Sequence, residues 1–310
     1  MVQITKSGKL KKVLRYWPFY VMALPGLIYL FINNYIPMTG LILAFERYDV
    51  RKGIYGSPKC GLENFRFLFN TSDAWMITRN TILYNVVFIL LGNICAILVA
   101  NCLNEIKGKT SKKIYQTIIL FPYIISIIVV AFLANAFLAG DTGFINKAIL
   151  EPMGLDPIQF YREPKYWPFI LTFVQLWKSV GYSSVIYLAS LSGIDPSFYE
   201  AASLDGASRF QQFVKITLPG LKPTIITLFI LAVGKIFYSD FGLFYQVPMR
   251  SGSLFQVTQT IDTYVFYGLT KNNNIGMSAA AGFYQSMVGF ILVLFSNMLV
   301  KKVSRENALF

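Results

Sequence analysis

The sequence predicts an all-α protein that crosses a membrane six times. Hydrophobic residues make up 55% of the 310 residues, charged residues make up 14%, and the mean hydropathy is +0.52. Soluble domains carry a charged fraction of about 25%, and apolar stretches long enough to cross a hydrocarbon core of about 30 Å recur along this chain. The predicted spans are residues 17–44, 80–103, 114–138, 166–192, 223–247 and 276–300.

The first span is expected to stay in the protein rather than to be removed as a signal peptide. Its apolar stretch is too long for the core of a signal peptide, and it lacks an obvious cleavage site between small residues. Its Pro25, Gly26 and Pro37 are tolerated in a membrane helix whose neighbours satisfy the freed backbone groups. We therefore expect a basic tail over residues 1–16 and one membrane domain over residues 17–310.

The distribution of lysine and arginine predicts the orientation. If the N-terminus is inside, the inner segments hold 15 of these residues in 65 positions and the outer segments hold 11 in 90. Cytoplasmic segments carry the denser positive charge, so both termini and the loop 193–222 are predicted to be cytoplasmic. The net charge of +13 then reflects topology and attraction to anionic membrane lipid. Nucleic acid is not an expected partner, because no basic stripe alternates with aromatic residues outside the spans.

The sequence lacks the groups for metal, redox or nucleotide chemistry. It has no histidine, and Cys60, Cys95 and Cys102 are too few and too scattered for a zinc site or a disulfide framework. Gly108-Lys109-Thr110 resembles the end of a phosphate-binding loop, but Leu103 stands where the first glycine is needed. We expect no bound cofactor and no enzymatic activity. If transport is driven by ATP, the ATPase is another polypeptide.

The loop 193–222 carries signals for two short helices. Asp195 and Pro196 predict a helix that starts there, runs to about Leu204 and is ended by the permissive Gly206. A second helix is predicted over 207–217 and is closed by Pro219. Its apolar face would hold Phe210, Phe213, Val214 and Leu218. Helices this short are marginal alone in water, so we expect the loop either to fit a groove of a soluble partner or to rest on lipid headgroups.

The same loop carries a motif with fixed spacing. Its order is Glu200-Ala201-Ala202, three residues, Gly206, nine residues, then Ile216-Thr217-Leu218-Pro219. This order resembles the signature loop of binding-protein-dependent ABC importer permeases, and Asp205-Gly206-Ala207 fits the usual middle of that loop. The resemblance implies a coupling helix seated in a cleft of a cytoplasmic ATPase. It assigns coupling to Glu200, Ala201, Ala202, Asp205, Gly206, Ile216, Leu218 and Pro219.

Further motifs extend the resemblance over nearly the whole chain, to the oligosaccharide and polysaccharide branch related to the maltose-system permeases. They are Leu24-Pro25-Gly26, Tyr35-Ile36-Pro37, Ala44-Phe45-Glu46-Arg47-Tyr48, Phe121-Pro122 and Gly143-Phe144-Ile145-Asn146. The resemblance implies the six-helix type I importer fold in the plasma membrane of a bacterium. The implied partners are a second, similar permease, two ATPase subunits that carry ATP and magnesium, and an extracytoplasmic solute-binding protein.

Three charged residues at membrane depth suggest where a substrate passes. Lys178, Lys235 and Asp240 lie within the predicted fourth and fifth spans, where charges are costly and usually functional. Lys235 and Asp240 are five residues apart and are poor partners on a regular helix, unless Gly234 or Gly242 marks a break. One interpretation is therefore an ion pair between Lys178 and Asp240 that joins two helices.

The other interpretation is a polar passage flanked by aromatic rings, which would stack on sugar rings while polar groups bind hydroxyls. Its residues would be Gln175, Trp177, Lys178, Tyr182, Lys235, Phe237, Tyr238 and Asp240. Because two lysines face one aspartate, we expect an anionic saccharide, such as a uronate-containing oligosaccharide. Other polar residues of the second and sixth spans are interpreted as packing contacts between helices. They are Tyr84, Asn85, Asn93, Tyr284, Gln285 and Asn297.

The predicted function is the permease subunit of an ATP-driven oligosaccharide importer, in which partner ATPases move the loop 193–222 and thereby switch access. One alternative is the same machinery carrying a neutral sugar or another solute. A second is an ion-coupled secondary transporter, which would leave the ordered inner loop unexplained. A membrane enzyme is disfavoured, because the spans hold no credible acid–base pair.

Overall fold

The computed structural model describes residues 16–66 and 70–303, so nearly all of the predicted basic tail, residues 1–15, lies outside the described residues. In the described part the regular structure is helical, with one isolated β-bridge between Glu46 and Lys59. The described residues include five helices long and apolar enough to cross a membrane, and one bent pair that makes a sixth span if it is counted as one. The all-α prediction is confirmed.

The first helix, α1, covers Trp17–Phe45 and stands largely apart from the rest of the chain. A π-helical turn at Phe31–Tyr35 precedes Pro37, and the last seven residues, Thr39–Phe45, form a 3-10 helix. No residue of Trp17–Met38 is buried. Packing begins only near the end of the helix, where Ala44 is fully buried against alanines of the last helix.

The centre of the fold is a long pair of packed helices. These are α2, Ser72–Glu105, and α5, Trp167–Leu191. Two shorter helices lie between them in the chain and are described next. Ala96 and Ala100 of α2 are fully buried and lie in one cluster with Tyr187 of α5. Small residues of this kind let membrane helices approach closely. The Tyr187 hydroxyl donates to Asn93 Oδ1 across the same interface, as the packing interpretation of Asn93 requires.

The third span is broken, whereas the sequence predicted one continuous helix over residues 114–138. Helix α3, Lys109–Ile124, and helix α4, Ile127–Leu138, meet at 93°. The bend leaves carbonyl groups at the end of α3 without helical partners. The ammonium group of Lys178 on α5 donates to the carbonyl oxygens of Tyr123 at 3.1 Å and Ile125 at 2.5 Å. A free carbonyl at membrane depth is costly unless another protein group binds it, so Lys178 stabilises the break.

The fifth span departs from its predicted bounds at both ends. Helix α6, Pro196–Leu204, is followed by α7, which runs without interruption from Arg209 to Val233. Pro219 was predicted to close the second helix of the loop, and this prediction was wrong. A π-helical turn at Phe213–Thr217 precedes Pro219, which falls in the first turn of the next α-helical stretch, where its missing N–H is not needed.

At its other end the fifth span stops being helical well before residue 247. The chain leaves the helix at Gly234 and runs as turns and extended backbone to Asp240. We call residues 234–240 the unwound segment. A short helix, α8, covers Phe241–Gln246, helix α9 covers Ile261–Thr270, and the last helix, α10, covers Ile275–Val303.

Gly181 lets α5 approach α3 at the level of the break. A Cβ atom at this position would overlap the backbone carbonyl of Ile119. We predict that Gly181→Ala destabilises the folded protein by about 1–3 kcal/mol, because the backbone of α3 has to move. Thermal unfolding of the purified protein measures this. The matched control is Gly92→Ala on α2, where the new methyl group would lie 3.9 Å from Leu176 Cδ2 and is expected to be accommodated. Equal melting temperatures for the two variants would contradict the prediction.

Candidate functional site

The first helix of the loop 193–222 begins and ends where the sequence predicted. The side chain of Asp195 caps the start of α6 by accepting from the Ser197 backbone N–H at 2.9 Å. This hydrogen bond lowers the pKa of the Asp195 carboxyl below its usual value. At the other end Gly206 has φ +77°. The backbone N–H of Ala207 donates to Ala202 and that of Gly206 donates to Ser203, which is the Schellman pattern.

The second arm starts slightly later than predicted and is tied to the first. Ser208 and Gln211 form a reciprocal capping box, so the helix begins at Arg209 rather than at residue 207. Between the arms, Tyr199 and Thr217 share a hydrogen bond of 3.0 Å, and Gln212 donates to Ser203 at 3.0 Å. We call residues 195–217 the hairpin. Its two arms are joined by side chains and form one structural unit.

The hairpin carries large apolar side chains that the described residues leave exposed. Phe198 is 62% exposed, Leu204 is 89% exposed and Phe210 is 74% exposed. Leu204 also lines a polar cleft of about 840 Å³ between the hairpin and the end of α2, and this cleft is bridged by an ion pair of 3.5 Å between Arg209 and Glu105. Large apolar side chains grouped on a polar, water-facing element are typical of an interaction surface.

The coupling residues assigned by resemblance divide into two groups. Those that are exposed on the hairpin or beside it are Glu200, Ala201, Asp205, Gly206 and Pro219. Those that are partly buried are Ala202, Ile216 and Leu218. Leu218 packs against the buried cluster of α2 and α5. Leu218 therefore anchors the hairpin to its own membrane domain, whereas Glu200 and Ala201 lie on its accessible surface.

Two of the predicted pathway residues of α5, Lys178 and Tyr182, lie beside the break in the third span. The ring of Tyr182 stacks on Tyr123 with centroids 4.7 Å apart, and Lys178 lies beside the same ring. Trp177 instead lines an apolar cleft of about 640 Å³ with Phe137 and Phe173. Gln175 is half-buried. Lys178 and Tyr182 are thus brought together with Tyr123, an aromatic residue that was not predicted.

The ion pair between Lys178 and Asp240 is not among the four ion pairs of the described residues. Lys178 is bound to carbonyl groups at the end of α3, as described above. Asp240 caps the start of α8 by accepting from the Leu243 backbone N–H at 3.1 Å. The sequence interpretation failed because both groups serve helix ends that the predicted straight helices did not contain.

The other predicted pathway residues lie on the unwound segment and differ in exposure. Lys235 and Tyr238 are exposed. Phe237 is only 3% exposed and packs with Ile77 and Ile261, so it is a core residue in this structure. A break at Gly234 was the condition under which the sequence allowed Lys235 and Asp240 to pair. The helix does end there, but no pair between them is among the ion pairs of the described residues.

Side chains from three other elements hold the unwound segment. Asn85 of α2 donates to the carbonyls of Ile236 at 2.8 Å and Tyr238 at 3.1 Å, and Gln285 of α10 donates to that of Phe237 at 2.7 Å. Asp262 of α9 accepts from the backbone N–H of Ser239 at 2.7 Å. Asn85 and Gln285 were interpreted as packing residues. Asp262 was missed, although its place after Thr260 at a helix start was a readable signal.

Comparison with known proteins adds an independent line of evidence. Residues 92–305 match the family described as "Binding-protein-dependent transport system inner membrane component". The chain is 34% identical over 288 residues to the polygalacturonan/rhamnogalacturonan transport system permease protein YteP of Bacillus subtilis, covering 93% of this chain and 89% of YteP. It is 30% identical over 213 residues to the trehalose/maltose transport system permease protein MalF of Thermococcus litoralis, covering 68% of this chain and 70% of MalF.

Solved structures agree with the fold. A crystal structure of a bacterial ABC transporter involved in the import of the acidic polysaccharide alginate has a chain that matches with a TM-score of 0.85 at 31% identity, covering 95% of this chain and 99% of that one. A second crystal structure shows the bacterial alginate ABC transporter in complex with alginate pentasaccharide-bound periplasmic protein. One of its chains matches with a TM-score of 0.84 at 32% identity, covering 95% of this chain and 97% of that one. The chain therefore belongs to the family of binding-protein-dependent inner membrane components, as a multi-pass permease subunit of an ABC importer, a translocation subunit rather than an enzyme.

Proposed function

We propose that this permease carries acidic oligosaccharides, those with uronate residues, through a pathway beside the unwound segment. The observation that carries the proposal is the exposed Lys235 on a stretch of non-helical backbone within the predicted fifth span. Its partners are a second homologous permease, two ATPase subunits that bind ATP and magnesium, and an extracytoplasmic solute-binding protein. The names of YteP and of the alginate importer, which both refer to acidic polysaccharides, support the same class of substrate.

The charge and the aromatic residues of the pathway favour a carboxylated sugar. The ion pairs of the described residues involve Arg47, Lys147, Lys165 and Arg209, and Lys235 is in none of them. An exposed lysine at membrane depth attracts anions strongly, because the surrounding dielectric is low. The exposed rings of Tyr182 and Tyr238 offer flat surfaces on which sugar rings stack.

The hairpin is proposed to be the contact with a partner ATPase, with both chain termini in the cytoplasm. The exposed side chains of Phe198, Leu204 and Phe210 are the surface that the ATPase would cover. Helix α7 has 25 residues from the hairpin to Val233, which corresponds to about 37 Å of rigid helix. Because the hairpin's second arm and the fifth span are one helix, a movement of the hairpin reaches the unwound segment directly.

Replacement of Lys235 and of Lys178 is expected to have different effects. We predict that Lys235→Met lowers uptake of an acidic oligosaccharide about tenfold, since one charge-assisted hydrogen bond is lost. The same variant should carry an analogue whose carboxyl groups have been reduced at the wild-type rate. Lys178→Met should lower uptake of both sugars, because it leaves the carbonyls at the end of α3 unbound.

The measurement is uptake into proteoliposomes that hold the complete complex, at saturating loaded binding protein. The wild-type rate for each sugar is the reference. Equal losses of acidic and reduced sugar in Lys235→Met would contradict an acidic substrate and would favour a neutral sugar, as for the relative named a trehalose/maltose permease.

Changes in the hairpin should separate ATP hydrolysis from transport. We predict that Glu200→Lys leaves the permease in the membrane but lowers sugar uptake per ATP hydrolysed by about tenfold, because an exposed charge at the proposed interface is reversed. Gly206→Pro should act in the same direction, since proline cannot adopt the positive φ of this residue.

The assay is ATP hydrolysis and uptake by the same proteoliposomes, together with copurification of the ATPase. Lys222→Gln is the matched control, an exposed charge of the same loop outside the hairpin. Normal coupling in both hairpin variants would contradict the proposed contact.

A further inference from the structure

We propose that Asp262 is a positioning residue of the substrate pathway, which fixes the unwound segment so that Lys235 faces the pathway. The proposal rests on the function proposed above. Asp262 acts through Ser239 and Gln285 rather than by touching the sugar.

The carboxylate of Asp262 is the centre of a closed ring of hydrogen bonds. Its Oδ2 accepts from the Ser239 N–H at 2.7 Å and from the Ser239 hydroxyl at 2.7 Å. Gln285 Nε2 lies 3.1 Å from each carboxylate oxygen and donates to the Phe237 carbonyl at 2.7 Å. The ring therefore joins α9, α10 and the unwound segment, and it binds both a donor and an acceptor of the same stretch of backbone.

The ring requires a carboxylate. The three groups that face Asp262 are a backbone N–H, a hydroxyl and an amide NH₂, and all three can donate. An asparagine side chain of the same size would turn its own NH₂ group toward one of them, and a donor would lose its acceptor. The negative charge is also favoured at the second residue of α9, near the positive end of the helix dipole.

The position of the hydrogen-bonded ring around Asp262 determines which side chains of the unwound segment are exposed. Gln285 binds the backbone carbonyl of Phe237, and the aromatic side chain of Phe237 is buried. Lys235 and Tyr238, on either side of Phe237 in the sequence, are exposed. The segment directly follows the last residue of α7. The start of the segment is held by backbone turns, in which Lys235 and Tyr238 donate to Ala232 and Lys235. When α7 moves with the hairpin, the ring holds the Phe237 carbonyl and the Ser239 N–H, which leave the helical pattern.

The test is a double-mutant cycle between Asp262→Asn and Lys235→Met. We expect Asp262→Asn to lower uptake of an acidic oligosaccharide about tenfold at saturating loaded binding protein, with assembly and ATP hydrolysis retained. If Asp262 acts through Lys235, the double variant should be no slower than Lys235→Met alone, whereas independent effects would multiply to about one hundredfold. A general loss of folding would lower assembly and hydrolysis together and would not produce this pattern.

The matched control is Asp73→Asn. Asp73 is likewise the second residue of its helix after a threonine N-cap, but it is exposed on α2. Wild-type uptake is expected for Asp73→Asn, because the change leaves the hydrogen bonds around Asp262 intact. Ser239→Ala is a milder second variant, which removes one donor of the ring and keeps the backbone N–H. It should reduce uptake less than Asp262→Asn and should also add nothing to Lys235→Met.

The outcomes separate the two proposals. If Lys235→Met carries the acidic sugar normally, the proposed role of Lys235 is wrong, and the positioning role falls with it. If Lys235→Met is impaired but Asp262→Asn is normal, or the two effects multiply, the positioning role alone is overturned. Impaired assembly or hydrolysis in Ser239→Ala would likewise overturn it, in favour of a purely structural role.

Discussion

The structure depends on one constraint: backbone groups that leave a helix at membrane depth need partners within the protein. The chain leaves its helices twice inside predicted spans, between α3 and α4 and again after α7. At the first break the partner is a cation, Lys178. At the second the partners are two amides and a carboxylate, Asn85, Gln285 and Asp262. Other polar side chains of the spans make different contacts, such as Asn80, which donates to the carbonyls of Gln256 and Gln259, and Tyr187, which donates to Asn93.

This constraint also divides the polar residues by role. A side chain whose hydrogen bonds are taken up by the chain's own backbone has little left to offer a passing solute. Lys178 is such a residue, whereas Lys235 is exposed and in none of the ion pairs described. The distinction between the two lysines cannot be read from composition or hydropathy. It appears only when the partners of each ammonium group are known.

The sequence predicted the hairpin well, because its signals are local. Asp195, Pro196 and Gly206 determine the bounds of α6 through caps that depend on a few neighbouring residues. The bends were not predicted, because apolar composition is the same for a straight helix and for a bent one. The error at Pro219 has the same origin. Proline usually stops a helix, but the preceding π-helical turn places this one where no N–H is required. The ring around Asp262 joins residues far apart in sequence, so no periodic pattern of residues predicts it.

Helix α1 lies mostly outside the packed helices and the polar contacts described above. It packs on the rest of the chain only through its last residues, and the stretch matched by the family begins at residue 92, well after it. Its side chains from Trp17 to Met38, which include the motifs Leu24-Pro25-Gly26 and Tyr35-Ile36-Pro37, therefore contribute nothing to the interior of this subunit. Any constraint on these side chains has to come from outside the polypeptide, through the thickness of the bilayer or a neighbouring subunit, so this helix is an anchor beside the translocation core.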